Sequence, residues 1–101
     1  MAENVRNASQ TIGTTALIVS PELLEGERNV IAITNTSTAG QIISISWGST
    51  ATALTGAVLY PAGSWSESID TAFRPSQLAI WAVSSAAGGT IAIEERILSK
   101  V

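Results

Sequence analysis

Within the segment Ile42 to Trp47, "IISISW", the residues from Ile43 onward alternate strictly between large apolar and small polar. Ile43, Ile45 and Trp47 fall on one side, Ser44 and Ser46 on the other. A repeat of two fits a pleated strand with one buried face and fits no helix. "SWSESI", Ser64 to Ile69, repeats the pattern with Trp65 and Ile69 opposite three serines. "RNVIAITN", Arg28 to Asn35, adds a run rich in β-branched residues, which favour strands.

Four more candidate strands follow the same reasoning: Thr14 to Val19, Val58 to Tyr60, Leu78 to Ser84 and Thr90 to Leu98. Turn formers separate them: Pro21 and Gly26, Thr38 to Gly40, Gly48, Pro61 to Gly63, Pro75, and Gly88-Gly89. The glycine pair reads as a hairpin turn between the last two strands. Only Pro21 to Glu27, "PELLEGE" after Ser20, offers a helix start, with Ser as N-cap and Pro at the first helical position. Gly26 ends it after about one turn, and a short turn or 3₁₀ segment fits these residues equally well.

Seven to eight short antiparallel strands with turns every ~8–12 residues predict an all-β, single-domain β-sandwich or jelly roll. The chain of 101 residues holds one core, not two. Residues 1–10, "MAENVRNASQ", are polar and lack the apolar stretch of a secretory signal, so they are expected to form an N-terminal arm. Residues 11–101 are then the sandwich domain. Two glycosylation triplets, at Asn7 and Asn35, are read as chance.

Charge is sparse and segregated. Charged residues make up 13% of the chain, about half the usual ~25%. None occurs from Asn29 to Ser66 or from Pro75 to Ile93. Ser and Thr, roughly a quarter of the chain, supply polarity instead. A net charge of −3 argues against nucleic-acid binding, which needs clustered Lys and Arg. No apolar run approaches the ~20 residues that cross a bilayer, so no membrane partner is expected. Monomers guard exposed strand edges with charge. The strands around Val30 to Thr34, Ile42 to Trp47 and Leu78 to Ser84 carry none, which predicts that neighbouring copies or another protein cover them.

The inventory for catalysis is thin. The chain has no His and no Cys, and its single lysine is Lys100. A serine nucleophile needs an adjacent base, and none is in view. Glu94 and Glu95 are neighbours on a strand and therefore point to opposite faces. Glu67 shares the face of Trp65, while Asp70 begins a loop. These acids are read as solvated or ion-paired, and the chain as no enzyme, with no cofactor and no metal site. "GSTATALTG" and "SAAGGT" lack the lysine of a phosphate-binding loop and are read as turns.

Trp47, Tyr60, Trp65 and Trp81 are the interface candidates. Trp47 and Trp65 share faces with isoleucines and read first as core or contact residues. Trp81 belongs to a strand apolar on both faces, the pattern of a strand that is central or covered by another subunit. A sugar-binding face built on exposed tryptophans is the alternative, with a glycan as partner.

"VIAITNTSTAGQIISISWG", "GAVLYPAGSWSESID" and "FRPSQLAIWAVSSAAGGTIAIEER" together resemble small β-sandwich structural proteins of tailed bacteriophages, related viruses and prophages. The resemblance spans about Arg28 to Arg96 and consists of turn-and-strand punctuation, with no catalytic signature. Pro61-Ala62-Gly63 stands where the pattern has Pro-Gly-Gly. The resemblance implies a virion subunit: a capsid decoration or cement protein, or a head- or tail-associated one. It implies a trimer as the self-assembly and a major capsid or other virion protein as further partner. On that reading the arm lies on a capsid, and deleting residues 2–10 weakens attachment without unfolding the domain.

Overall fold

The computed structural model describes residues 3–23, 27–68 and 77–98. They form eight strands: β1 (Glu3–Ile12), β2 (Leu17–Ser20), β3 (Glu27–Asn35), β4 (Ile43–Trp47), β5 (Ala57–Leu59), β6 (Ser64–Ser68), β7 (Ile80–Ser84) and β8 (Gly89–Leu98). Every pairing is antiparallel. One sheet has the order β1-β8-β3-β6 and the other β2-β7-β4-β5. Consecutive strands mostly alternate between sheets, the winding of an eight-stranded jelly roll. We call the first the charged sheet and the second the neutral sheet.

The core lies between the sheets. Ile31 and Ile33 of β3 and Ile91 and Ile93 of β8 face Ile43 and Ile45 of β4 and Ile80 and Ala82 of β7, with Ile12, Val19 and Leu59 around them. All are buried. Each such isoleucine contributes about 1.5–3 kcal/mol through burial. Its branched Cβ suits a strand because χ1 is already restricted there.

Several expectations are refined. The polar segment expected as an arm lies, from Glu3 onward, in β1, which pairs with β8 from Glu3↔Leu98 to Ile12↔Gly89. Pro21 to Leu23 form no helix; residues 24–26 fall outside the described ones, as do Ile69, Asp70, Pro75 and Lys100. The expected Gly88-Gly89 hairpin is a crossover instead. β7 belongs to the neutral sheet and β8 to the charged one. Ser85 N–H donates to Ile42 O at 2.9 Å, holding the chain to the neutral sheet until Gly88, at φ 84, turns it across. Gly89 then packs so close to Ser84 Oγ and Ile12 O that a Cβ there would lie 2.6 and 3.0 Å from them.

The strands expected as bare edges are interior. β3 lies between β8 and β6, β7 between β2 and β4, and β4 between β7 and β5. Interior strands need no charged guards, because both sides of their backbone are already paired. The true edges are β1, β6, β2 and β5. Those of the charged sheet carry Arg6 and Glu67, whereas β2 and β5 are kept to four and three residues. Short edges and charged edges are both protections against stray pairing.

Candidate interaction surface

Ionisable residues divide by sheet. Glu3, Arg6, Glu27, Arg28, Glu67, Glu94, Glu95 and Arg96 all lie on β1, β3, β6 and β8. β2, β4, β5 and β7 carry none. Because Ile43, Ile45, Ile80 and Ala82 point inward, the intervening residues form the neutral sheet's outer face. The register sets Ile18, Trp81 and Ser46 in one row and Val83, Ser44 and Val58 in the next. Ile18 is 45% exposed. The loop between β4 and β5 folds onto this face: Leu54 N–H donates to Ser44 Oγ at 2.8 Å. Ser44 and Val83 are therefore buried, while Leu54 itself stands 63% exposed. Tyr60, on the following turn, is also exposed.

The aromatic candidates separate. Trp81 is half-buried on the outer face, in the centre of the neutral sheet. Trp47 and Trp65 face inward and pack against the isoleucine core. They meet edge to face between the sheets, with ring centroids 4.5 Å apart and planes at 63°. With Gly56, Ala57 and Glu67 they line an open groove of about 370 Å³ between β5 and β6.

The residues that alternation places least well form a buried ion cluster at the other side of the sandwich. Glu95 continues the inward row of Ile91 and Ile93, and Glu94 faces solvent. Arg28 Nε donates to Glu95 Oε2 at 2.7 Å, and Arg6 Nε donates to Oε1 at 3.1 Å. Ser20 Oγ donates to Oε2 and accepts from Arg28 Nη2 at 2.8 Å. Arg28 also reaches Pro21 O and Leu78 O. Arg28, Ser20 and Glu95 are all essentially inaccessible. Burial alone would raise the Glu95 carboxyl, but the hydrogen bonds from Ser20 and Arg28 and the charges of Arg28 and Arg6 hold it below the ordinary value.

Two irregularities create this cluster. Simple alternation from Ile33 and Ile31 would turn Asn29 inward and Arg28 outward. The register shifts between Arg28 and Val30, and Arg28 turns in. A second shift between Ile18 and Ser20 leaves both Val19 and Ser20 buried. An inserted residue re-aims the side chains beyond it, and neither bulge has a glycine to announce it. With Arg28, Ser20 and Glu95 buried and Arg6 part-exposed at the rim, the cluster has the geometry of a structural clasp.

The turn motifs meet at the opposite end. Asn35 Nδ2 donates to Gln41 O and Leu59 O, both at 2.8 Å, and its Oδ1 accepts from Ser37 N–H. Ser37 Oγ exchanges hydrogen bonds with the Thr90 backbone, and Gln41 Nε2 donates to Ala87 O at 3.1 Å. These turn residues thus form one hydrogen-bonded knot that satisfies buried backbone groups. Among the described residues there is no group of three or more His, Cys, Asp or Glu placed to hold a metal ion, and no helix long and apolar enough to cross a membrane.

No protein-family model matches the chain, and no curated protein does. Its fold is similar to that of a solved chain described by the words "Bacillus endospore appendages form a novel family of disulfide-linked pili". The TM-score is 0.63 at 16% identity, covering 98% of this chain and 88% of that one. At that identity the likeness establishes a shared fold.

Proposed function

We propose that this chain is a non-enzymatic structural subunit that assembles with copies of itself through the outer face of the neutral sheet. The observation that carries the reading is the division of charge between sheets. A face whose described strand residues carry no ionisable group, bearing Ile18, Trp81, Val58 and the exposed Leu54, has the composition of an interface core. The charged sheet supplies the solvent-facing side.

The motif resemblance favours a virion as the place of assembly, with a trimeric decoration, cement or head- or tail-associated subunit seated on a capsid or other virion protein. The fold likeness supports a second setting, a subunit of a pilus-like appendage. In either setting these 101 residues hold no cysteine, so contacts made through them involve no disulfide.

The test places one lysine on each sheet. Ile18→Lys puts a charge on the neutral face at a site already open to water, and Asn7→Lys does the same on an exposed position of β1. In sedimentation velocity, Ile18→Lys is expected to shift the distribution to single chains with the circular-dichroism spectrum unchanged. Asn7→Lys is expected to leave the assembly intact. Equal behaviour of the two variants would overturn the assignment of the neutral face.

A further inference from the structure

The groove at β5 and β6 lies apart from the outer face of the neutral sheet, and its chemistry is different. Trp65 and Glu67 sit two residues apart on β6, opposite Ile33 and Ile31, and so share its inner face. Trp47 approaches from β4. Gly56 and Ala57 form the remaining wall. That wall stays low because Gly56 adopts φ 76 and a Cβ there would meet Ile45 O at 2.3 Å. No described cation lines the groove.

We propose that this groove binds a neutral sugar ring. A pyranose has an apolar face of C–H groups and a rim of hydroxyl donors. An indole offers the flat apolar surface that such a face covers, and a carboxylate accepts from the rim. A carboxylate has about four lone-pair sites, so Glu67 can accept from a sugar hydroxyl beside any protein partner. The volume, about 370 Å³, falls at the small end of ligand sites, suiting one or two rings. With the indole planes at 63°, a flat ligand lies on one ring and meets the other as a side wall. Glu67 beside the stacked ring disfavours acidic sugars. This binding is independent of the assembly through the neutral sheet.

Nuclear magnetic resonance on the full chain reads all three indole N–H groups separately. Titration with glucose, galactose, mannose and N-acetylglucosamine is expected to shift the Trp47 and Trp65 signals saturably at millimolar concentration for at least one of them. Trp81, on the opposite face of the neutral sheet, serves as the internal control and stays fixed. Glu67→Gln keeps the shape and is expected to weaken binding about tenfold. Trp65→Ala removes a ring that also packs the core, so Glu67→Gln carries the decision. Glucuronate is expected to bind more weakly than glucose. No saturable shift with any of the four sugars, or equal movement of Trp81, overturns the proposal. So does a response to tetramethylammonium in the absence of one to sugars, which would make the groove a cation cage.

Discussion

Ala62 carries φ 68, the left-handed region where an L side chain crowds its own backbone. It follows Pro61 in a turn closed by Gly63 N–H to Tyr60 O at 2.7 Å. Proline at the first central position and a positive φ at the second define a type II turn, whose second position favours glycine. The departure from Pro-Gly-Gly thus keeps the turn and strains it. Ala62→Gly is expected to stabilise the protein by about 1 kcal/mol, seen as a higher thermal midpoint. An unchanged or lower midpoint would show the strain to be relieved elsewhere. Arg28 and Glu95 supply the opposite case. Arg28→Met leaves a buried carboxylate short of its main partner and is expected to cost about 3–5 kcal/mol in urea unfolding. Adding Glu95→Leu is expected to recover most of that loss. Because the Glu95 carboxyl is depressed in the folded state, its stabilisation is complete above the ordinary glutamate value of about 4.3. It is lost as pH falls through Glu95's own lower value. Urea midpoints measured from neutral to acidic pH should therefore fall more steeply for the native chain than for Glu95→Gln.

The alternation in "IISISW" and "SWSESI" made β4 and β6 legible, because one face of each meets the core. β1 was not legible: "ENVRNASQTI" lies on an edge, and its outward positions after Val5 are the polar Asn7, Ser9 and Thr11, which look like an arm. Its ten-residue ladder with β8 changes the expected result of removing it. Deleting residues 2–10 takes Arg6 from Glu95 and turns β8 into a new open edge. The truncated chain is expected to unfold at lower urea and to aggregate, since an unprotected edge pairs with other chains. Truncation without loss of stability would return the segment to the role of an arm. Alternation put Glu94 and Glu95 on opposite faces without saying which is inward, and Arg28 and Ser20 depend on bulges, which alternation cannot foresee. Trp47 and Trp65 were legible as core or contact residues, yet their meeting required the pairing of sheets that only the fold supplies.

At the scale of the molecule, the segregated charge has a simpler cause than bare edges. The uncharged strands β4 and β7 are interior, and a jelly roll sends alternate strands to opposite sheets. Charge omitted from every second segment of the chain therefore collects as one neutral sheet. The core explains why its inner face is apolar. It gives no reason for Ile18, Val58, Trp81 and Leu54 on the outside, and that residue set is what self-association accounts for. Light scattering on the purified full chain, diluted through the micromolar range, tests this directly. The account predicts a closed assembly with the mass of three chains; a mass of one chain at every concentration would contradict it.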